Sequence, residues 1–596
     1  MKIMTATRIF DILEEQKKYP KPDILANRHG NEWRQFSTEE YYETAHIIAY
    51  ALLEMGFQKG DKIATIMNNR AEWNFMDMGI TLANMVHVPI YATLNENEYK
   101  YILNHCDCKM VVTGIEAIYR RVEPILDEVE QKPEVFTIDL IEGRRNFTEI
   151  IDLGNAYSSK WYDKVEENKK TISTDELATI IYTSGTTGNQ KGVMLSHKNV
   201  CSNFMTLIEM QNLNHHSKLL SFLPLCHVYE RTVMYHYQFL GASYYYAGGL
   251  GTIAKDIHEM KADGFCAVPR VLEMMFDKLY SVGKDLKGFK RILYFWAFNL
   301  ATKYDNYNKN WFYQLKIKTA DKLVYSKWRE KLSGKEMIVV SGGSAIQERI
   351  VRLFTAAQIQ VFEGYGLTET APVIAVNNPK KRILKPGTVG EILPGIEFKL
   401  AEDGEILTKG NCLMMGYYKD PEYTKQVIDE EGWFHTGDIG AMVEGRFLKI
   451  TDRKKEIFKL SLGKYIAPQL IENKLKESTF INNVMVIGEN EKFASAIIVP
   501  DMNALHFWCA KHRVHFHNNI EMITLPNVVK RIQREVDKIN AQLSEHEQIK
   551  RFRLIADEWS PATGELSLTL KLKRAVIYKK YNALCREIYN YDLKVQ

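Results

Sequence analysis

At 596 residues, with 45% hydrophobic and 26% charged side chains, the chain has the composition of a folded globular protein with a sizeable core. Collagen-like, low-complexity and disordered readings are excluded for its bulk, and length alone allows roughly four domains of about 150 residues or fewer larger ones. The 78 Lys and Arg nearly cancel the 74 Asp and Glu, leaving a formal charge of +4. That balance argues against a nucleic acid as the main partner.

The chain opens MKIMTATRIFDILEEQ, placing Arg8, Asp11, Glu14 and Glu15 where a secretory signal needs an apolar run. No stretch reaches the ~18 apolar residues of a membrane span. Eight cysteines are too few for a disulfide framework, and Cys106-x-Cys108 lacks a second pair to complete a zinc site. The expectation is a cytoplasmic protein with reduced thiols, at most resting on the inner face of a membrane.

Helical spacing of apolar residues predicts a helix over Thr38–Met55, stopped by Gly56. A buried strand over Lys62–Met67, a helix over Glu72–Ala83 and a strand over Val86–Tyr91 then make one βαβ unit. Ile180–Gly192 runs from an apolar strand into Thr183-Ser184-Gly185-Thr186-Thr187-Gly188 and reaches Lys191. Glycines let backbone N–H groups approach phosphate oxygens, hydroxyls add donors and the lysine adds charge. Gln190 stands where a Walker A loop needs its second glycine, so this is a different phosphate loop. Tyr244-Tyr245-Tyr246, followed by Gly248-Gly249, could line an acyl tunnel, and a buried strand with a glycine turn explains them almost as well.

Residues 284–336 are rich in Lys, Trp, Tyr and Phe at helical rhythm. A helical pair packed on the main domain, its lysines in water, is preferred to a surface that meets lipid. Met337–Val340 is a strand, Ser341-Gly342-Gly343-Ser344 a turn, Gln347–Ala357 a helix and Ile359–Phe362 a parallel strand: a second βαβ unit. Its strand leads into Phe362-Glu363-Gly364-Tyr365-Gly366-Leu367-Thr368-Glu369-Thr370. That segment offers a ring for a base, a hydroxyl for a phosphate and an oxygen ligand for Mg²⁺ at a strand end, where open α/β sheets bind ligands. Trp433–Asp438 sets a carboxylate where ribose hydroxyls could donate to it. Short strands become denser after Gly404, and Asp452-Arg453-Lys454-Lys455 is a charged break, with a domain boundary at about Ile450. His506, Cys509, His512, His515 and His517 read as the flank of a packed helix rather than a metal site. Leu566–Arg574 closes the series with Lys571 and Lys573.

These motifs, in this order from about Thr38 to Arg574, resemble the adenylate-forming superfamily of acyl-CoA synthetases, adenylation domains and luciferases. Leu223-Pro224-Leu225-Cys226-His227-Val228-Tyr229-Glu230-Arg231, Val268-Pro269-Arg270-Val271 and Gly463-Lys464-Tyr465-Ile466-Ala467-Pro468-Gln469 resemble its long-chain fatty-acid–CoA ligases. The resemblance implies an α/β fold: a large N-terminal domain (1–450) of mainly parallel sheets with a small β-barrel-like part, and a mobile α+β lid (451–596).

It further implies that Thr183–Lys191 grips the triphosphate of ATP and that Gly342, Gly343, Ser344 and Tyr365 hold adenine. Thr368 contacts phosphate, Glu369 binds Mg²⁺, and Asp438 and Arg453 hold the ribose. His227 lines the acyl-carboxylate site, Lys571 bridges carboxylate and α-phosphate, and Lys455 is the hinge. Gly463, Lys464 and Tyr465 belong to the coenzyme A channel. Three positions depart from the family pattern: Gln190 replaces a proline, Leu462 a glycine, and Ser567-Leu568-Thr569 alters the loop before Lys571.

The expected reaction is ATP- and Mg²⁺-dependent ligation of a long-chain fatty acid to coenzyme A. Rival readings are a relative that makes acyl-adenylate for a carrier protein or stops there, and a silent nucleotide- and acyl-binding protein. A peripheral membrane contact and a homodimer are both compatible with the sequence.

Overall fold

A computed structural model describes residues 5–183, 190–210, 212–249, 251–308, 310–378, 384–461, 463–567 and 570–589. Two large sheets dominate the first 450 residues. One has seven strands, in the order Gly416–Tyr417, Lys191–Ser196, Leu177–Thr183, Val86–Ile90, Lys62–Ile66, Cys108–Thr113 and Glu134–Thr137. The other has nine and is centred on Lys218–Ser221, Gly264–Ala267, Met337–Ser341 and Ile359–Gly366. Pairing is parallel through both centres and antiparallel only toward the edges, so the βαβ units expected from the sequence are present.

Helices fill the space between the sheets. Thr38–Glu54 starts at Ser37, whose hydroxyl and Glu40 form a reciprocal capping box, and it packs on Ala71–Leu82. Ile48, Trp73, Met76, Met110, Phe136, Phe204 and Tyr244 form one core that spans helices and both sheets. A buried polar cluster sits inside it. Asp77 accepts from Arg231, from the Tyr235 hydroxyl and, at 2.6 Å, from His87; Arg231 also reaches the Thr179 hydroxyl at 2.7 Å. The cluster ties helix Val228–Phe239 to Ala71–Leu82 and to two strands of the seven-stranded sheet.

Ser243–Tyr246 is a fully buried strand whose three tyrosine hydroxyls bond within the core, so the buried-strand reading holds. Helices Gly288–Ala301, Trp311–Ala320 and Ser326–Lys331 pack on the main domain through Tyr294, Phe298, Tyr325 and Trp328. The barrel-like part is a four-stranded antiparallel sheet of Ile396–Leu400, Glu405–Gly410, Phe434–Val443 and Phe447–Arg453. Its last strand runs straight through Ile450, so the chain is still part of the large domain there.

The C-terminal unit has its own core, on a sheet of Ile481–Ile487, Ser495–Pro500 and Arg551–Leu554 covered by Pro468–Leu475 and Pro526–Asn540. His506 and His512 stack on Phe516 and Trp508. Among the described residues no group of three or more His, Cys, Asp or Glu is placed to hold a metal. No described helix is long and apolar enough to cross a membrane.

Candidate active site

A cavity of about 3420 Å³ lies between the strand ends of the large domain and the C-terminal unit. Thr183, Lys191, His227, Gly342, Gly343, Ser344, Tyr365, Thr368, Glu369, Asp438, Arg453 and Lys571 all line it. Ser184, Gly185, Thr186, Thr187 and Gly188 lie outside the described residues. Gly463, Lys464 and Tyr465 do not line the cavity: they sit at the short hairpin of Phe458–Lys459 and Tyr465–Ile466, with Tyr465 largely in solvent.

Thr183 and Lys191 are directly paired at the ends of antiparallel strands, so the phosphate-loop sequence joins two neighbours of one sheet. The Lys191 ammonium stands 2.8 Å from the centre of the Tyr423 ring, which holds the cation at the cavity wall. Strand Ile359–Gly366 is longer than expected and takes in Phe362–Gly366; only from Leu367 does the chain turn. Gly366 makes this extension workable, since a Cβ there would lie 1.7 Å from the Pro372 carbonyl oxygen as the chain returns antiparallel. Tyr365 is thereby fixed in the wall, and its hydroxyl donates to Asp438 at 2.8 Å. Arg453, the cross-strand partner of Asp438, approaches the same carboxylate at 3.1 Å. Glu369 is half-buried and accepts from the Tyr417 hydroxyl at 2.7 Å.

The Ser341–Ser344 turn is shaped by a side chain on another element. Tyr229 donates to the Val340 carbonyl at 2.9 Å and lays its ring 3.2 Å from where a Cβ on Gly342 would stand. Tyr229 therefore joins the helix that begins at His227 to the strand that ends at this turn.

His227 caps helix Val228–Phe239, its Nδ1 accepting the Tyr229 N–H at 3.2 Å. The assigned tautomer leaves Nε2 as the ring's donor. Burial, followed by the positive charge of Lys571, pushes its pKa down to about 4, so the ring is neutral near pH 7. Lys571 is open to the cavity but surrounded by protein. Burial and the Arg453 guanidinium bring its pKa down to about 8, with Asp438 and Glu456 opposing. Its backbone is held in a tight turn: Lys571 N–H donates to the Ser567 hydroxyl at 3.0 Å, and Ser567 N–H to the Lys571 carbonyl at 2.7 Å. Lys573 also lines the cavity, at the N-cap position of helix Arg574–Lys580 but with no side-chain capping bond.

The sequence reading missed two features. Glu363, opposite Ser341 in the sheet, is buried in the cavity wall, and burial raises its pKa to about 8, so it is a neutral acid near pH 7. In the strand pattern it is one more residue, and only its polarity within an apolar run could have marked it. Arg574 forms a clamp, donating to Glu456 at 2.9 Å and to both oxygens of Glu472 at 2.8 and 2.6 Å. These partners are about a hundred residues away, beyond the reach of local spacing.

Away from the polar groups, the cavity is walled by Phe222, Leu223, Ile253, Ile257, Met275 and Leu332. Polar and apolar residues thus line one continuous cavity, with a neutral imidazole and an ammonium among the polar groups.

The chain matches the family described as AMP-binding enzyme over residues 13–418 and the AMP-binding enzyme C-terminal domain over 455–592. A long-chain-fatty-acid–CoA ligase of Cavia porcellus is 30% identical over 592 residues, 94% of this chain and 82% of its own. A long-chain-fatty-acid–CoA ligase of Mycobacterium bovis is 28% identical over 97% of this chain and 96% of its own. The adenylation domain of a carboxylate reductase from Mycobacterium chelonae shares the fold, with a TM-score of 0.75 at 20% identity over 98% of this chain and 91% of that one. The chain belongs to the AMP-binding enzyme family and carries both its large domain and its C-terminal domain.

Proposed function

We propose that this protein joins a long-chain fatty acid to coenzyme A at the expense of ATP, through an acyl-adenylate, releasing pyrophosphate and AMP. The observation that carries the reading is the single cavity: His227, Glu369, Asp438 and Lys571 face one space that continues between apolar walls. Relatives of matching length named as long-chain-fatty-acid–CoA ligases point the same way.

The chemistry is a problem of charge. A carboxylate oxygen attacks the α-phosphorus of ATP, the bond to pyrophosphate breaks, and every oxygen involved is anionic. The site has to neutralise repulsion rather than generate a nucleophile. Neutral His227 orients the carboxylate through Nε2–H without taking a proton from elsewhere. Lys571, charged below pH about 8, bridges carboxylate and α-phosphate. Lys191 and the loop before it hold the β- and γ-phosphates, Tyr365 and the Gly342–Ser344 turn the base, and Asp438 with Arg453 the ribose. Thr368 donates to phosphate.

Glu369 fits Mg²⁺, because it offers a hard carboxylate oxygen at the wall, already oriented by Tyr417, to an ion that takes one or two carboxylates plus substrate phosphates. Bound there, Mg²⁺ would supply further positive charge to the triphosphate. In the second step the thiol of coenzyme A attacks the acyl carbonyl and AMP leaves.

For that step the C-terminal domain turns about Lys455, which withdraws Lys571 and brings Gly463, Lys464 and Tyr465 toward the site. Supporting this hinge, Lys454 is held by Asp403 and Glu405 of the large domain at 2.6 and 2.7 Å, whereas Glu456 is held by Arg574 and Gln469 of the lid. The large domain then ends at Lys454 and the lid begins at Glu456. Long-chain acids partition into membranes, and a chain with no described helix able to span one meets its substrate at the surface.

The test is a product assay with ATP, Mg²⁺, coenzyme A and palmitate, following AMP and thioester together. Equal amounts of both are expected. Pyrophosphate released without consumption of coenzyme A would transfer the assignment to an adenylate-forming or carrier-protein-loading enzyme.

A further inference from the structure

Helices Pro269–Asp285 and Gly288–Ala301 present a face that neither the core nor the reaction uses. From Met274 to Ile292 the sequence has five cations, Lys278, Lys284, Lys287, Lys290 and Arg291, against two carboxylates, Asp277 and Asp285. Among the described residues none of the five is in an ion pair, and the contacts of Lys284 with the Tyr280 and Phe507 rings and of Arg291 with Phe295 leave their charges without an anionic partner. Among these cations stand Phe289 and Ile292, 76% and 69% exposed, with Met274 and Val282 also open to solvent. Large apolar side chains left in water beside unpaired cations call for a covering surface. Met274, Lys278 and Val282 are four residues apart, hence on one face of their helix, and all three line the cavity that holds His227 and Lys571. The cavity therefore opens beside this patch.

We infer that this face docks on an anionic phospholipid bilayer. The cations meet lipid headgroups, Phe289 and Ile292 enter the interface, and the cavity mouth is set against the membrane. Charge complementarity selects anionic lipid. The apolar side chains among the cations distinguish a bilayer from a purely polyanionic partner. The purpose of the contact rests on the long-chain-acid reading, since an acid entering from lipid need not cross water. The contact itself does not depend on that reading.

The test is sedimentation of the full chain, without substrate, with vesicles of phosphatidylcholine alone and of phosphatidylcholine containing phosphatidylglycerol. Binding to the anionic vesicles is expected, at least tenfold above the neutral ones and weakened by salt. A variant carrying Lys284→Glu, Lys287→Glu, Lys290→Glu and Arg291→Glu, and a second carrying Phe289→Ser and Ile292→Ser, lose that binding at least tenfold. Both keep their melting temperature and their activity on octanoate, because none of these residues lines the cavity. A control variant, Trp311→Ser with Phe312→Ser, removes exposed rings from another helix and keeps full binding. Absence of wild-type binding, equal binding to both vesicle types, or loss only in the control overturns the inference. Vesicle binding without thioester formation from palmitate would instead count against the proposed reaction.

Discussion

At the scale of single residues, two nitrogen bases face each other across the cavity with opposite assignments. His227 is neutral because burial, its bond to the helix N–H and the nearby ammonium all disfavour a proton. Lys571 keeps its proton at neutral pH but loses it early. With a pKa brought from its ordinary 10.5 down to about 8, its charge is complete below that pH and disappears as pH rises through it. The kcat/KM for adenylate formation, which follows the free enzyme, should fall above pH about 8. Lys571→Arg should move that fall upward, and an unchanged profile would remove Lys571 from the step. Lys571→Ala should lower adenylation by about 10²–10³-fold, as loss of a transition-state charge does, while thioester formation from supplied acyl-adenylate survives. The opposite ranking against Lys573→Ala would shift the role two residues along. Glu369→Gln, close in shape but uncharged, should raise the Mg²⁺ concentration needed for turnover without lowering the melting temperature; an unaltered Mg²⁺ titration would exclude it as a ligand.

Among elements, what the sequence made legible was chemistry concentrated in one segment. Thr183 and Lys191 stood out because small hydroxyl and glycine residues close to a lysine have few other uses, and Tyr365 because its neighbours are glycines. What it hid was chemistry assembled from distant segments. That Tyr229 fills the space over Gly342 cannot be read from either position alone, since the contact joins residues over a hundred positions apart. Gly342→Ala should weaken ATP binding by about 1–3 kcal/mol, as overpacking does, and Tyr229→Leu should relieve part of that loss. Additive losses in the double variant would show the two to be independent. The Arg574 clamp was hidden for the same reason. Arg574→Gln leaves buried Glu472 without its cation and should cost the lid about 3–5 kcal/mol. Adenylation should fall further than thioester formation, because the clamp anchors the chain three residues after Lys571. Equal loss in both steps would mean that the clamp only stabilises the fold.

For the whole molecule, the expected division into a large α/β domain and a smaller α+β unit was readable from the alternation of elements and from the charged run at Asp452. The position of the break was not. Ile450 falls within the edge strand Phe447–Arg453, which stays paired with its neighbour from Val443 opposite Phe447 to Asp438 opposite Arg453, with Ile450 itself opposite Gly440, and the charged run that follows does not reveal this pairing in sequence. Lys454 is tied to one body and Glu456 to the other, which leaves Lys455 as the position of the proposed hinge. Lys455→Pro, by fixing φ there, should leave pyrophosphate release near normal and reduce thioester formation at least tenfold. Equal rates for both half-reactions would argue for a hinge elsewhere.

Asp438 carries a consequence for turnover. Its carboxylate is already satisfied by the Tyr365 hydroxyl and the Arg453 guanidinium before any nucleotide arrives. A ribose diol entering here exchanges partners with a pair that is already content, so its hydroxyls gain little net free energy from the meeting. On the proposed assignment, grip on the nucleotide then falls mainly to its phosphates, which Lys191 and Lys571 would meet. On the same assignment ATP would bring three phosphates to that exchange and AMP one, so the spent nucleotide would be the more weakly held and leave without a separate device for expelling it.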